Sequence, residues 1–231
     1  MRLDDRKEHI LDFIVRDYID TAVPVSSGRI VSRKVLDASS ATLRNIMLEL
    51  DEDGFLYQSH TSAGRAPTEK GYRYFIDNLM EIGDPAHDVR NELDSMMNDF
   101  FEESEHVFED LSRMLAKHLR LFSGISVLDD ERIFGHGLPE VLREPEFFEH
   151  GAAVRFVDFA ENIQKNLKRH SDIDADAKGF GMVSVMFDGG DLGKCVVFSA
   201  GPQRMNYEKA TSLLKYAAED IKNRKIKKHA K

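Results

Sequence analysis

The chain has 231 residues, enough for one or two domains with buried cores, and its 42% hydrophobic and 32% charged content is ordinary for a globular protein. Its formal net charge of −9 excludes an indiscriminate polyanion binder, although only the charges that face phosphate count in DNA binding. No apolar run approaches the roughly 18 residues of a membrane span, and the single cysteine excludes an internal disulfide framework. We therefore expect a cytoplasmic protein that has no membrane partner.

The N-terminal part begins with two predicted helices. Residues 3–21 place apolar side chains on one face and Asp and Arg on the other, which is typical of an amphipathic helix. Pro24 ends this helix, and Ser26 or Ser27 can cap a second one that runs to about residue 36. The residues that follow leave room only for a tight turn before the next helix, as in a helix–turn–helix.

The central stretch, residues 39–65, predicts a capped helix followed by a wing. Ser39 can accept an N–H of the first turn as the N-cap, and Gly54 ends the helix as the residue after its C-cap. Between them lie apolar side chains spaced for one buried helical face: Leu43, Ile46, Met47 and Leu50. Residues 55–58 then form a short strand, and a small polar loop follows it as far as Arg65.

Pro67 closes the wing, and Thr68 can cap a further helix that runs to about residue 80. The order helix, helix, turn, helix, strand and wing is the plan of a winged helix–turn–helix. A Gly-Asp-Pro break at residues 83–85 is the natural domain boundary, so we expect domains at residues 1–82 and 83–231.

Beyond the break, residues 88–122 predict one long amphipathic helix. Apolar residues recur along it every seven positions in two adjacent rows: Leu93, Phe100, Val107, Met114 and Leu121, and Phe101, Phe108, Leu115 and Phe122. Two rows are wider than the seam of a coiled coil, so this helix requires a broad apolar partner. The partner is either the core of its own domain or a second subunit.

The last third mixes short helices and strands. Its predicted elements are a helical turn and loop within residues 135–149, a helix at 152–168, a polar loop at 171–178, strands at 181–187 and 193–199, and a final helix at 207–222. The two strands flank the turn sequence Asp-Gly-Gly-Asp, which signals a hairpin. The fold class is therefore α+β.

Candidate catalytic and metal-binding residues form no recognisable arrangement. Cys195 lies within an apolar strand and has no histidine nearby in the sequence, which favours a buried thiol. His106 and His118 are too far apart on the long helix to make a metal pair. The sequence has neither a phosphate-binding loop nor a Gly-x-Ser-x-Gly elbow. We therefore expect no enzyme activity, no cofactor and no metal site.

Several segments resemble the heat-inducible transcription repressor family (HrcA). In the N-terminal part these segments are residues 24–27, 41–45, 58–68 and 70–73, of which the wing segment Gln-Ser-His-Thr-Ser-Ala-Gly-Arg-Ala-Pro-Thr is the most specific. In the C-terminal part, Pro-Glu-Phe at residues 145–147 and Gly-Pro-Gln-Arg-Met-Asn-Tyr at residues 201–207 are similar to two further family signatures.

The resemblance implies a fold and a function. The fold is an N-terminal winged helix–turn–helix, a long connecting amphipathic helix and a small C-terminal GAF-like α+β domain. Because family members are generally longer, we expect this last domain to be reduced, without its early strands and the inserted dimerisation segment. The function is that of a dimeric repressor of heat-shock and chaperone genes, which binds an inverted-repeat operator in double-stranded DNA and depends on chaperonin support.

In a helix–turn–helix, the N-terminal end of the second helix enters the major groove. Thr42, Arg44 and Asn45 lie at this end, and Arg pairs with guanine and Asn with adenine. Nearby serines and the helix N-terminus suit phosphate oxygens, while the wing loop can reach the backbone or the minor groove. The predicted DNA-binding residues are Ser27, Arg29, Ser39, Ser40, Ala41, Thr42, Arg44, Asn45, His60, Thr61, Ser62 and Arg65.

These residues also have structural interpretations. Asn45 can be an ordinary surface residue, and Arg44 can form a loose contact with Glu49 or Asp51. Arg65 can form a salt bridge within the wing, and the serines of the wing can simply stabilise a turn. The alternative for the whole protein is a winged-helix interaction module whose wing contacts protein and which has no specific DNA readout.

Overall fold

The structure, a computed structural model, describes residues 2–58, 64–99, 104–167 and 172–224. Its backbone forms two compact units, Met1–Glu81 and Ile82–Lys231. Both units combine helices with antiparallel strands, which confirms the predicted α+β class. Among the described helices, none has the length and apolar character needed to cross a membrane.

The described part of the first unit contains helices and a small wing. Its elements are α1 (Asp5–Thr21), α2 (Ser27–Ser32), α3 (Ser40–Glu52), β1 (Leu56–Gln58), β2 (Arg65–Pro67) and α4 (Glu69–Tyr74), which continues as a π-helical turn (Phe75–Leu79). β1 and β2 pair antiparallel with Leu56 opposite Pro67, and residues 59–63 between them lie outside the described residues. This order confirms the predicted winged helix–turn–helix.

Local hydrogen bonds explain where these helices begin and end. Three hydroxyl side chains accept a backbone N–H of the first turn of a helix: Ser26 at 3.3 Å, Ser39 at 3.1 Å and Thr68 at 3.1 Å. The predicted end of α2 near residue 36 was wrong. α2 ends at Ser32 because the chain turns away at Lys34, whose φ of 52° is left-handed.

The core of the first unit lies between α1 and α3. The predicted apolar face of α3 is buried, and Gly54, with a φ of 78°, follows the end of this helix as expected. The buried side chains of α1 are Ile10, Leu11, Ile14 and Val15. The wing is joined to the segment before α2 by two backbone hydrogen bonds of 2.8 Å between Val25 and Arg65.

The second unit is built on a five-stranded antiparallel sheet. Its elements are α5 (His87–Asp99), α6 (Ser104–Leu119), β3 (Phe122–Val127), β4 (Arg132–His136), α7 (Leu138–Val141), α8 (His150–Glu161), α9 (Ile163–Leu167), β5 (Asp172–Asp174), β6 (Gly181–Asp188), β7 (Lys194–Gly201) and α10 (Tyr207–Arg224). The strand order is β4-β3-β7-β6-β5, so β3 and β7 lie side by side within the sheet. The pairing of β6 with β7 confirms the predicted hairpin.

Helices pack on both faces of this sheet. Phe108 of α6 contacts Phe134 of β4 on one face, with ring centroids 5.5 Å apart. Phe134 pairs with Ile125 of β3, and neighbouring strand positions alternate between faces, so Ser126 points to the other face. There, Gln164 of α9 lies 3.5 Å from Ser126 Oγ. Four aromatic rings near α8 pack against one another: Phe147, Phe156, Phe159 and Phe180.

The predicted long helix at residues 88–122 is described in two parts, α5 and α6, and residues 100–103 lie outside the described residues. Its predicted end was wrong, since α6 ends at Leu119, Arg120 is left-handed with a φ of 57°, and Phe122 begins β3. Members of both apolar rows are buried, which corresponds to the internal-core alternative: Leu93, Val107, Phe108, Met114, Leu115 and Leu121.

The expectation that the early strands of the C-terminal domain are absent was also wrong. β3 pairs with β4 on one side and with β7 on the other, and neither β3 nor β4 was predicted. β5, at Asp172–Asp174, likewise lies where the sequence indicated a loop. These strands depend on partners far away in the sequence, and such partners are not visible in local periodicity.

Candidate nucleic-acid interface

α3 has one buried face and one exposed face. Its apolar stripe packs into the core of the first unit, and the helical period turns the intervening residues outward. The exposed residues of α3 are Ala41, Thr42, Arg44, Asn45, Leu48, Glu49 and Glu52. The exposed surface therefore begins at the N-terminal end of the helix and carries a guanidinium, an amide and a hydroxyl in its first half.

The N-terminal end of α3 is lined with hydroxyl groups. Ser39 Oγ accepts the backbone N–H of Thr42 at 3.1 Å and lies 3.0 Å from Thr42 Oγ1. Ser40 Oγ lies 3.3 Å from Ser27 Oγ, which comes from the first turn of α2. Unpaired backbone N–H groups and the helix dipole make this end favourable for an anion such as a phosphate.

Arg44 is exposed and is held by a hydroxyl rather than a carboxylate. Its Nε donates to Ser27 Oγ at 3.3 Å. The two carboxylates considered as alternative partners pair with other cations: Glu49 with Lys7 at 3.0 Å, and Asp51 with Arg65 at 2.8 Å. The positive charge of Arg44 is thus not neutralised by either of these carboxylates.

The other predicted cations are anchored within the fold. Arg29 donates to Asp17 Oδ1 through Nε at 3.0 Å and lies 2.8 Å from the same oxygen through Nη2. Arg65 forms the wing salt bridge with Asp51, and its side chain is only 14% exposed. Both arrangements fix the positions of α2 and the wing relative to their neighbouring helices.

The remaining predicted residues differ in accessibility. Asn45 is exposed on α3, whereas Ser27 is only 8% exposed and faces Arg44 and Ser40. His60, Thr61 and Ser62 lie outside the described residues. The structure therefore brings Ser27, Ser39, Ser40, Thr42 and Arg44 together, with Ala41 and Asn45 on the same helix end.

Two exposed apolar side chains on α3 and the wing were not among the predicted site residues. Leu48 is 48% exposed on α3, one helical turn after Arg44, and Tyr57 is 45% exposed on β1. Leu48 lies outside the buried stripe of its helix, so its exposure could have been predicted from its position in the sequence.

In the second unit, Cys195, Arg204 and Tyr207 have contacts that belong to the fold. Cys195 is fully buried, and burial raises the pKa of its thiol to about 11, so the thiol stays protonated at neutral pH. Arg204 donates to Glu146 Oε1 and Glu144 Oε2, each at 2.5 Å. Buried Tyr207 donates its hydroxyl to the carbonyl of Gln203 at 2.6 Å. Arg204 and Tyr207 thus form structural contacts at the start of α10.

The order of elements in the first unit and the exposed face of α3 define a winged helix–turn–helix protein. Among curated relatives, the heat-inducible transcription repressor HrcA of Lachnoclostridium phytofermentans is 44% identical over 116 residues, which are 50% of this chain and 33% of that protein. HrcA of Desulforudis audaxviator is 51% identical over 90 residues, 39% of this chain and 26% of that protein. About half of the chain is thus similar in sequence to heat-inducible transcription repressors named HrcA, the family that its motifs resemble.

These matches are partial. The chain spans only about a quarter to a third of the length of these two relatives, and no family model matches it. A solved structure described as a hypothetical protein superposes with a TM-score of 0.68, covers 97% of this chain and 99% of its own, and is 18% identical. That likeness concerns the fold alone.

Proposed function

We propose that this chain is a sequence-specific DNA-binding transcriptional repressor of heat-shock and chaperone genes, and that it binds an inverted-repeat operator as a dimer. The observation that carries the proposal is the exposed N-terminal half of α3, where Thr42, Arg44 and Asn45 lie on the side opposite the core. The relatives named as heat-inducible transcription repressors support its regulatory part.

The proposed readout places the N-terminal end of α3 in the major groove. Arg44 would form a bidentate pair with guanine and Asn45 one with adenine, and each good pair contributes about 1–3 kcal/mol of discrimination. The Thr42 methyl group can contact a thymine methyl. Ser39 and Ser40, at the positive end of the helix dipole, would fix the register through phosphate oxygens.

Repression would follow from occupying the operator and blocking polymerase. Heat, or the loss of chaperonin support, would end repression by lowering the folded fraction, because about 1–2 kcal/mol in the free energy of unfolding changes this fraction several-fold. In this proposal, residues 1–82 are the DNA-binding domain and residues 83–231 the regulatory and dimerisation domain. The protein would act in the cytoplasm and would not be an enzyme.

The test begins with a duplex that the full chain selects from a randomised DNA library. Fluorescence anisotropy then compares this duplex with a scrambled one over a salt series, for the wild-type chain and for Arg44→Ala. We expect the preference for the selected duplex to fall by about 5- to 150-fold in Arg44→Ala, which corresponds to the loss of one bidentate base contact.

Arg33→Ala is the matched control, because Arg33 is an exposed cation at the end of α2 and not on α3. It should lower the affinity for both duplexes to the same extent. The same titration after a temperature step, with and without added chaperonin, tests the regulatory part. Specific binding that survives heating and does not respond to chaperonin would contradict that part alone.

The ion pair of Arg65 with Asp51 favours a second candidate, a winged-helix interaction module whose wing contacts protein. In this case the chain would select no duplex, and the weak binding to any DNA would be equal for both sequences. The salt series separates the two candidates, since DNA binding weakens steeply with salt and an apolar protein interface does not.

A further inference from the structure

A chain of polar contacts connects the first turn of α2 to the exposed guanidinium on α3. Arg44 Nε lies 3.3 Å from Ser27 Oγ, and Ser27 Oγ lies 3.3 Å from Ser40 Oγ. Ser27 is 8% exposed, so its hydroxyl is held between the two helices. We propose that Ser27 is a positioning residue that orients Arg44 for base readout; this inference rests on the proposed DNA-binding function.

The direction of these hydrogen bonds follows from the donors available. Arg44 Nε carries one hydrogen and can only donate, so Ser27 Oγ is the acceptor. The hydroxyl hydrogen of Ser27 is then free to point toward Ser40 Oγ. Ser40, once it accepts this bond, keeps its own hydrogen for a group outside the fold. Ser27 therefore fixes the orientation of two groups on α3.

This arrangement leaves a defined part of Arg44 for DNA. A guanidinium has five N–H donors, and the bond to Ser27 occupies the one on Nε. The two Nη atoms, which point away from the backbone, remain available for a pair of acceptors such as guanine O6 and N7. We therefore infer that Arg44 approaches guanine end-on through Nη1 and Nη2. Holding the side chain in advance also reduces the flexibility lost on binding.

Ser27 is not required to cap its own helix. Ser26 performs that function, because its Oγ accepts the backbone N–H of Arg29 at 3.3 Å. The two adjacent serines thus have separable roles, one in the stability of α2 and the other in the orientation of Arg44. This separation provides a matched pair of substitutions.

The experiment uses the full chain and the duplex that the wild-type chain selects from a randomised library, with a scrambled duplex beside it. We expect Ser27→Ala to reduce the preference for the selected duplex by about 3- to 10-fold, the effect of one hydrogen bond. If Ser27 instead contacted phosphate directly, Ser27→Ala would lower the affinity for both duplexes by the same factor and leave the preference unchanged. Ser27→Thr keeps the hydroxyl and should keep most of the preference.

Ser26→Ala is the control for stability. It should lower the melting temperature while leaving the preference unchanged at a temperature at which the variant is folded. In the Arg44→Ala background, Ser27→Ala should have no further effect, because the group that it positions is gone. Circular dichroism establishes that each variant is folded before titration.

Two results would overturn the assignment: an unchanged preference in Ser27→Ala, or an equal loss from Ser27→Ala with and without Arg44. If Ser27→Ala does not fold, Arg44→Lys decides instead. Lysine lacks the Nε donor and the fork of Nη groups, so a preference retained by Arg44→Lys would exclude the end-on pair. A wild-type chain that selects no duplex would refute the proposed function itself, which is a separate outcome.

Discussion

The three arginines proposed to contact DNA differ in how their charges are balanced. Arg29 and Arg65 form ion pairs with Asp17 and Asp51, whereas Arg44 is held by the neutral hydroxyl of Ser27. A cation that already has a carboxylate partner must exchange it before it can neutralise a phosphate. At the scale of single residues, specific binding in this proposal therefore depends mainly on Arg44 and the groups that orient it.

Arg65 and Asp51 provide a residue-scale prediction. Their side chains are 14% and 29% exposed and lie 2.8 Å apart, so the pair is largely shielded from solvent. We expect Arg65→Ala and Asp51→Ala each to lower the free energy of unfolding by about 1 kcal/mol. The double variant should be little less stable than either single variant, because both remove the same interaction. Urea unfolding followed by circular dichroism measures all three.

A DNA titration then separates the two roles of Arg65. If Arg65 also binds phosphate, Arg65→Ala should reduce the magnitude of the slope of log affinity against log salt by about 0.9, whereas Asp51→Ala should not. Equal slopes for both variants would assign Arg65 to the fold alone. Independent, additive losses of stability would show that the pair does not stabilise the wing.

At the scale of elements, Thr68 connects the wing to the helices on either side. Its Oγ1 donates to the carbonyl of Gly54, just after α3, at 2.7 Å and accepts the backbone N–H of Gly71 in α4 at 3.1 Å. Thr68→Ala should lower the free energy of unfolding by about 1–2 kcal/mol, because it removes both the cap and the bond to Gly54. Guanidinium unfolding of the full chain provides the measurement.

Thr68→Ser is the matched control for this element. Serine keeps the hydroxyl and loses only a methyl group, so both hydrogen bonds can form and most of the stability should be retained. Equal losses in Thr68→Ala and Thr68→Ser would mean that the methyl contact, rather than the cap, determines the stability of this junction.

Element boundaries that depend on neighbouring residues could be predicted from the sequence. Ser39, Gly54 and Thr68 mark the ends of α3 and α4 because caps act within one helical turn. The end of α6 could not be predicted, since the apolar rows continue through Leu121 and Phe122 after the helix has stopped at Leu119. A left-handed Arg120 carries no marker in the sequence, because this position usually requires Gly.

β3 was missed for a related reason. Its sequence contains small and polar residues, and buried Ser123 is stabilised by a bond of 2.8 Å to Ser199 on β7, which lies far along the chain.

For the candidate site, the sequence predicted which residues take part but not which residues contact one another. Arg44 was identified from its place on α3, but its contact with Ser27 depends on how α2 packs against α3.

At the scale of the whole molecule, the charge distribution limits how the chain can bind DNA. The net charge is −9, and residues 23–73, which contain the candidate interface, carry seven Lys/Arg and six Asp/Glu. A single first unit therefore offers little attraction to a polyanion. Two copies that each read one half-site would double the number of specific contacts, which is the physical reason for proposing a dimer.

The dimer makes a prediction about helical phase. Two recognition helices related by a two-fold axis reach half-sites about 34 Å apart, or a multiple of this distance, along one face of the duplex. Inserting about 5 base pairs between the half-sites of the selected duplex turns one of them to the opposite face. We expect this insertion to reduce the affinity of the full chain to that of a duplex with one half-site.

Anisotropy measures the affinities, and sedimentation equilibrium of the free chain should yield twice the monomer mass. A spacer with changed bases but the same length is the control and should leave binding intact. Equal affinity for the original and the lengthened duplex would contradict paired readout and leave each chain reading its half-site alone.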